Sequence, residues 1–354
     1  MMPGPGEPVA TGIGPGTRGY AILRGDVADA ARTAAEAEGL GYHAAWSPEF
    51  YTRSAIVSLA AMALVTSTAR VGSSIAYAVG RTPLVLATEA RSLDELSGGR
   101  LVYGLGTGTT KMMAGWHGVD PAGPATRMEE LLPLLRQLWR LHEGPVRHDG
   151  RFYHVDVTPT AEMTPPMRTA IPLFTAGVNS RMVQVAGRVA DGFMGHPLFG
   201  ARYYDDVIRP AIEVGAAKAG REAKDVQIAG MVICSVSDDE EHARREAAAQ
   251  IAFYAAPRTY GTVVDVSGFG AAGEQIRAAF ASRDFDAMAA AVPDAMIDAM
   301  SAAGTPAQVA AKLEEFGRHV DHVIVYPASF AMTDERSRQV TADLLPAGAP
   351  RQAA

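Results

Sequence analysis

The sequence predicts an α/β fold, a closed (β/α)₈ barrel with insertions, with an open doubly wound sheet as the runner-up. Three observations predict it. Strand-like and helix-like segments alternate along nearly the whole chain. Eight segments read as strands, and almost every gap between them reads as a helix. The length, 354 residues, is large for an ordinary domain but usual for one barrel.

The elements follow in order. Residues 18–23 read as the first strand. Asp26 then stands as an N-cap before an alanine-rich helix that stops at Gly39. Residues 42–47 are the second strand, and 54–67 a helix with Ile56, Leu59, Ala60 and Ala63 on one face. Strand three is 71–76, helix three 83–96 and strand four 101–105. A strong amphipathic helix covers 126–141, with Leu131, Leu134, Leu135 and Leu138 on one side. Residues 148–151, HDGR, read as a hairpin turn. Strand five is 171–175, the next helix 178–189, and strand six 191–195. Segments 203–219, 226–236, 238–255, 306–317 and 322–326 complete the alternation. Residues 257–304 read as a helical insertion before the last strand, with no strand of its own. The expected layout is a disordered segment 1–17, one domain 18–340 and a flexible tail 341–354.

Composition narrows the partners. Hydrophobic residues make up 48% and charged residues 20%, as in a globular protein with a large core. The formal net charge is -7 and no basic stripe occurs, which argues against nucleic acid. No apolar run approaches a membrane span, and the Pro- and Gly-rich start lacks the plan of a signal peptide. A cytoplasmic setting is expected. The one cysteine, Cys234, sits inside an apolar run and reads as a buried small side chain. The histidines are scattered without metal-ligand spacing, so no metal is expected.

The most informative stretch is 92–108, SLDELSGGRLVYGLGTG: a helix end, a Gly-Gly stop, a short apolar strand and a glycine-rich turn. Such a turn at the carboxyl end of a parallel strand lets backbone N–H groups approach a phosphate. Together with residues 70–91, with ATRMEELLPLLRQLW at 125–139 and with IPLFTAGVNSRMVQVAGRVADGF at 171–193, it resembles the bacterial luciferase-like superfamily of flavin- and deazaflavin-dependent oxidoreductases. The resemblance runs from about residue 18 to 326. It implies a TIM barrel whose carboxyl face holds the tricyclic cofactor, with the cofactor carrying the chemistry.

The resemblance assigns expected roles. Gly106, Thr107 and Gly108 after strand four, with Ala176, Gly177 and Val178 after strand five, would approach the cofactor phosphate. Closing tight turns is their plainer role. Ser73, Ser74 and Ile75 would contact the ring, at a place where many members have a non-prolyl cis peptide. Members often carry an acidic residue followed by His after strand two; here Glu49 is followed by Phe50, so the usual proton-transfer His is absent. Thr109 stands where some deazaflavin dehydrogenases place a catalytic Glu. Candidate acid–base groups are therefore Glu49, His117 and His196, each with a structural alternative. Trp46 and Phe50 are candidate substrate-pocket residues, with barrel core the default for Trp46.

The expected function is coenzyme F420-dependent hydride transfer to or from a small organic substrate. The SSIAYAVGRTP and GLGTG segments look closest to that branch. The first alternative is a two-component monooxygenase using reduced FMN and oxygen, with a separate flavin reductase as partner. The second is a non-catalytic flavin-binding barrel. A homodimer is expected by the same resemblance.

Overall fold

The computed structural model describes residues 12–351. In chain order the strands are β1 (Thr17–Ala21), β2 (Ala44–Ser47), β3 (Arg70–Ser73), β4 (Ala76–Tyr77), β5 (Leu101–Gly106), β6 (Val146–Asp149), β7 (His154–Val157), β8 (Leu173–Ala176), β9 (Gly192–Gly195), β10 (Gln227–Val236), β11 (Ser301–Gly304) and β12 (His322–Pro327). Leaving out β4, β11 and the β6–β7 hairpin, these are the eight strands of the α/β barrel predicted above. Helices start where the sequence supplies a cap. The side chains of Asp26, Ser54, Thr82 and Asn179 each accept a backbone N–H of the helix that follows. No helix among the described residues is long and apolar enough to cross a membrane.

One compact unit is built from Trp46–Met194 and Ala211–Val226. Its parallel ladder runs β3–β5–β8–β9, with Val71 opposite Leu101, Leu105 opposite Thr175 and Thr175 opposite Phe193. The short β4 joins the far half of β5, Tyr77 opposite Gly106. Every residue of β5 is buried, as expected for a parallel strand covered on both faces. Buried charges here are paired. Asp94 receives Nε and Nη2 of Arg168, whose Nη2 also donates to the Leu101 carbonyl. Arg100 donates to the carbonyls of Ala63, Thr66 and Ala69, closing the end of helix Ala55–Val65.

The second unit takes Ile13–Ala45, Gly195–Pro210 and the chain from Gln227 onward. Its parallel ladder runs β1–β12–β10–β11, with Thr17 and Ala229 both opposite His322 and Ile233 opposite Ser301. His322 is fully buried with Nδ1 2.7 Å from Thr17 Oγ1, and burial lowers its pKa to about 3. Cys234 is also buried, and burial raises its thiol to about 12, so it remains an inert thiol.

Three expectations change. The strand expected over 71–76 is two pieces, β3 and β4. Between them the Ser74 amide donates to the Ser47 carbonyl and the Ile75 carbonyl accepts the Glu49 amide, so the chain leaves the ladder and returns. The insertion 257–304 is not strandless. After four helices (Gly261–Val266, Gly270–Ala281, Phe285–Ala290 and Asp294–Met300) it ends in β11, which pairs with β10. The expected tail is also shorter: helix Asp334–Ala347 takes in 341–347, with Val340, Leu344 and Leu345 buried. The expectations for 1–11 and 352–354 lie outside the described residues.

Candidate active site

In the first unit, parallel pairing aligns three chain turns. Ser74 and Ile75 lie between β3 and β4, Gly106–Gly108 at and after the end of β5, and Ala176–Val178 at and after the end of β8. The Ser74–Ile75 peptide is cis. A Cβ on Gly106 would lie 3.0 Å from Ile75 Cδ1 and 3.8 Å from Ala176 Cβ, so the three turns meet at this glycine. Gly108 has φ +70°, a conformation that favours glycine. A Cβ on Gly177 would lie 2.2 Å from Met182 Cγ, so only glycine lets helix Ser180–Val189 begin this close to the turn. That helix starts directly after Val178 and its Asn179 cap, where first-turn N–H groups and the dipole favour an anion.

The expected cofactor residues are thus brought together, with one correction. Ser73 is fully buried and its hydroxyl donates to the Gly104 carbonyl at 2.7 Å, so it staples β3 to β5 rather than facing a ring. The neighbouring hydroxyls differ. Ser74 Oγ and Thr175 Oγ1 are buried and have no hydrogen-bond partner among the described residues. An unmade buried hydrogen bond costs about 1–3 kcal/mol. A flat heterocycle with carbonyl and N–H groups on its edge offers the partners both lack, so these residues fit a flavin-type group.

Glu49 is occupied. Its side chain is 8% exposed and both oxygens meet Arg81, at 2.5 and 2.7 Å. The Tyr77 amide donates to the same carboxylate at 2.8 Å. Arg81 also lies 3.2 Å from Glu89, and the Glu49 hydrogen bond holds its guanidinium pKa above the ordinary value. Glu49 therefore ties the chain after Ile75 to helix Pro83–Leu96; the salt-bridged alternative is the arrangement observed, not a free acid or base. Thr109 caps the short helix Thr110–Gly115, accepting the Met112 amide. The His117 ring lies 4.8 Å from that of Tyr77, tilted by 59°, and its Nε2 is buried without a hydrogen-bond partner among the described residues.

The two expected pocket residues diverge. Trp46 is 0% exposed, and a Cβ on Gly72 would lie 2.3 Å from its ring; it is core, and the pocket-wall expectation is corrected. Phe50 is 44% exposed and packs with Tyr51 and Trp116 at 4.1 and 5.3 Å between ring centres. Sequence reasoning missed Trp116 as part of this cluster. Its spacing from Phe50 gives no periodic signal.

In the second unit His196 follows β9 directly. Its Nδ1 accepts the Leu198 amide at 3.2 Å, and burial lowers its pKa to about 3. It is therefore a neutral imidazole with its proton on Nε2. In this arrangement His196 stands as a neutral hydrogen-bond donor through Nε2. Rings of Tyr260 and Tyr254 lie 4.4 and 4.7 Å away. The Tyr254 and Tyr326 hydroxyls are 2.5 Å apart. These tyrosines were also missed, because an aromatic in a strand or helix reads first as core.

Comparison with known proteins gives the geometry its context. A 5,10-methylenetetrahydromethanopterin reductase of Methanopyrus kandleri is 29% identical over 296 residues, 79% of this chain and 82% of the relative. The solved coenzyme F420 dependent tetrahydromethanopterin reductase from Methanopyrus kandleri superposes with TM-score 0.76 at 26% identity, covering 93% of this chain and 98% of that one. The oxygenating constituent of 3,6-diketocamphane monooxygenase of Pseudomonas putida, solved with FMN, shares the fold at TM-score 0.66 and 16% identity, covering 96% and 99%. The model of the luciferase-like monooxygenase family matches residues 9–322, and this chain belongs to that family.

Proposed function

We propose that the protein is a coenzyme F420-dependent oxidoreductase that moves a hydride to or from a small organic substrate. The observation that carries this reading is the cradle itself: three aligned turns beside the buried, unpartnered hydroxyls of Ser74 and Thr175. The likeness to an F420-dependent reductase supports the choice of cofactor. When bound, a deazaflavin supplies two-electron hydride transfer. In this reading the turn at Gly106, Thr107 and Gly108 and the turn at Ala176, Gly177 and Val178 receive the phosphate through backbone N–H groups. Ser74, Ile75 and Thr175 orient the ring. Glu49 acts as a positioning residue through Arg81 and the Tyr77 amide.

A second reading, an FMN-dependent monooxygenase with a partner reductase, is favoured by one observation. Glu49 is bound to Arg81 and Thr109 caps a helix, so neither expected position offers a free proton-transfer carboxylate. Titration of the apo-protein with coenzyme F420 and with oxidised and reduced FMN, followed by fluorescence, separates the two. Binding of F420 at least tenfold tighter than either FMN form is expected. Tighter binding of reduced FMN replaces the first reading with the second.

We also propose a homodimer. Helix Ala55–Val65 exposes Val57, Leu64 and Val65, and helix Pro83–Leu96 exposes Leu84, Val85 and Leu96. The groove between them is lined by Ile56, Ala60, Leu93 and Leu96. Contiguous apolar surface of this kind is costly to leave in water. Sedimentation velocity is expected to show a dimer that Leu64→Glu converts to monomer. A wild-type monomer at micromolar concentration removes the proposal.

A further inference from the structure

A row of aromatic rings in the second unit ends in polar groups. Phe285 and Phe253 are 49% and 38% exposed, on helices Phe285–Ala290 and Glu240–Ala255. Both pack on Phe330, at 6.1 and 4.5 Å between ring centres, the Phe253 pair stacked. Phe253 continues to Tyr254 at 5.2 Å, and Tyr254 to His196 at 4.7 Å. The apolar rings stand at the more exposed end. At the other end are the paired Tyr254 and Tyr326 hydroxyls and the His196 imidazole.

The polar end has unused capacity. His196 Nδ1 is held by the Leu198 amide, and no hydrogen bond to its Nε2 is found among the described residues. In the Tyr254–Tyr326 pair one hydroxyl donates to the other, which leaves one hydroxyl proton free for a further acceptor. Burial raises Tyr260 to about 12 and lowers His196 to about 3, so the end is uncharged over the working range of pH. Neutral donors behind a wall of rings suit an uncharged oxygen on an apolar body.

We infer that His196, Tyr254, Tyr326, Phe253 and Phe330 form a substrate subsite for a flat, apolar, uncharged compound bearing one hydroxyl or carbonyl oxygen. This deepens the oxidoreductase reading, since it names the substrate class of that enzyme. Phe330 and Phe253 hold the apolar body; His196 and the tyrosine pair anchor the oxygen. The preference for an acceptor oxygen would come from these half-buried donors, whose hydrogen bonds an analogue without the oxygen leaves unmade.

The test is direct binding of 2-naphthol and of naphthalene to the full chain without cofactor, by calorimetry. Naphthol is expected to bind roughly tenfold more tightly than naphthalene, the worth of one or two hydrogen bonds. The double variant Tyr254→Phe/Tyr326→Phe, and separately His196→Phe, should each erase most of that preference and leave naphthalene unchanged. Phe330→Ala should weaken both ligands alike. Retained F420 binding reports that each variant is folded. Absence of naphthol binding, equal affinity for the two probes, or a preference that survives both polar variants overturns the subsite. Naphthol binding by a protein that takes up neither F420 nor FMN would instead remove the cofactor reading and leave the subsite standing.

Discussion

Glu49→Ala is expected to destabilise the protein by about 3–5 kcal/mol, the cost of leaving a buried charge without its partner. The carboxylate is 8% exposed and Arg81 only 19%, so water cannot readily replace it. Three hydrogen bonds are lost at once, two from Arg81 and one from the Tyr77 amide. Glu89, at 3.2 Å, remains as a partial partner and sets the lower end of the range. Glu49→Gln keeps one acceptor oxygen for the Tyr77 amide and should cost less. The measurement is the urea midpoint of the cofactor-free protein. A wild-type midpoint in Glu49→Ala would mean that Arg81 finds solvent more easily than its burial implies. Weaker cofactor binding by the Gln variant at a near-wild-type urea midpoint would mark Glu49 as a positioning residue, whereas a stability loss with cofactor binding intact would leave it a structural one.

Gly108→Asp is expected to weaken coenzyme F420 binding by at least about thirtyfold, and two effects add. A side chain at φ +70° costs about 1–2 kcal/mol. A carboxylate near a bound phosphate repels it by about 1–4 kcal/mol at 4 Å. Gly108→Ala isolates the first effect and should lose only about tenfold. The Cβ itself would sit 3.3 Å from Tyr77 Cε1 and 3.4 Å from Met112 Cβ, a tight but adjustable fit, so the variant should fold. Fluorescence titration reads both. Equal affinity in wild type and Gly108→Asp would show that this turn does not receive the phosphate.

Much of the barrel was legible because parallel strands and their helices have different periods. The segment 101–108 announced both a strand and its turn, and β5 ends at Gly106 as that pattern implies. The alignment of the glycine turns followed from strand order alone. What could not be read is long-range. Arg81 stands 32 positions from Glu49, and no local pattern links them. Trp46 became core because Gly72, across the sheet, leaves room for its ring. Ser301–Gly304 reads as SAAG, too small and too short to signal a strand; it is one because Ile233 and Cys234 of β10, paired with β12 on one side, offer their other edge to Ser301 and Ala302. The aromatic row escaped for the same reason, since Phe253, Phe285 and Phe330 meet only in three dimensions.

The pairing of β10 with β11 has a consequence for how this protein can vary. The chain leaves β10 at Val236 and comes back at Ser301 to the same strand, Ile233 opposite Ser301 and Val236 opposite Gly304. The Ser237 amide donates to the Gly304 carbonyl, so exit and return are pinned side by side. Everything between is a closed excursion, anchored to the rest of its unit through helix Glu240–Ala255, where Arg336 meets Glu246 and the Ser329 and Phe330 amides donate to Gln250. Lengthening such an excursion costs only about 0.6 kcal/mol per doubling. The part beyond Ala255 can therefore change length while Ile233 and Val236 keep their places opposite Ser301 and Gly304.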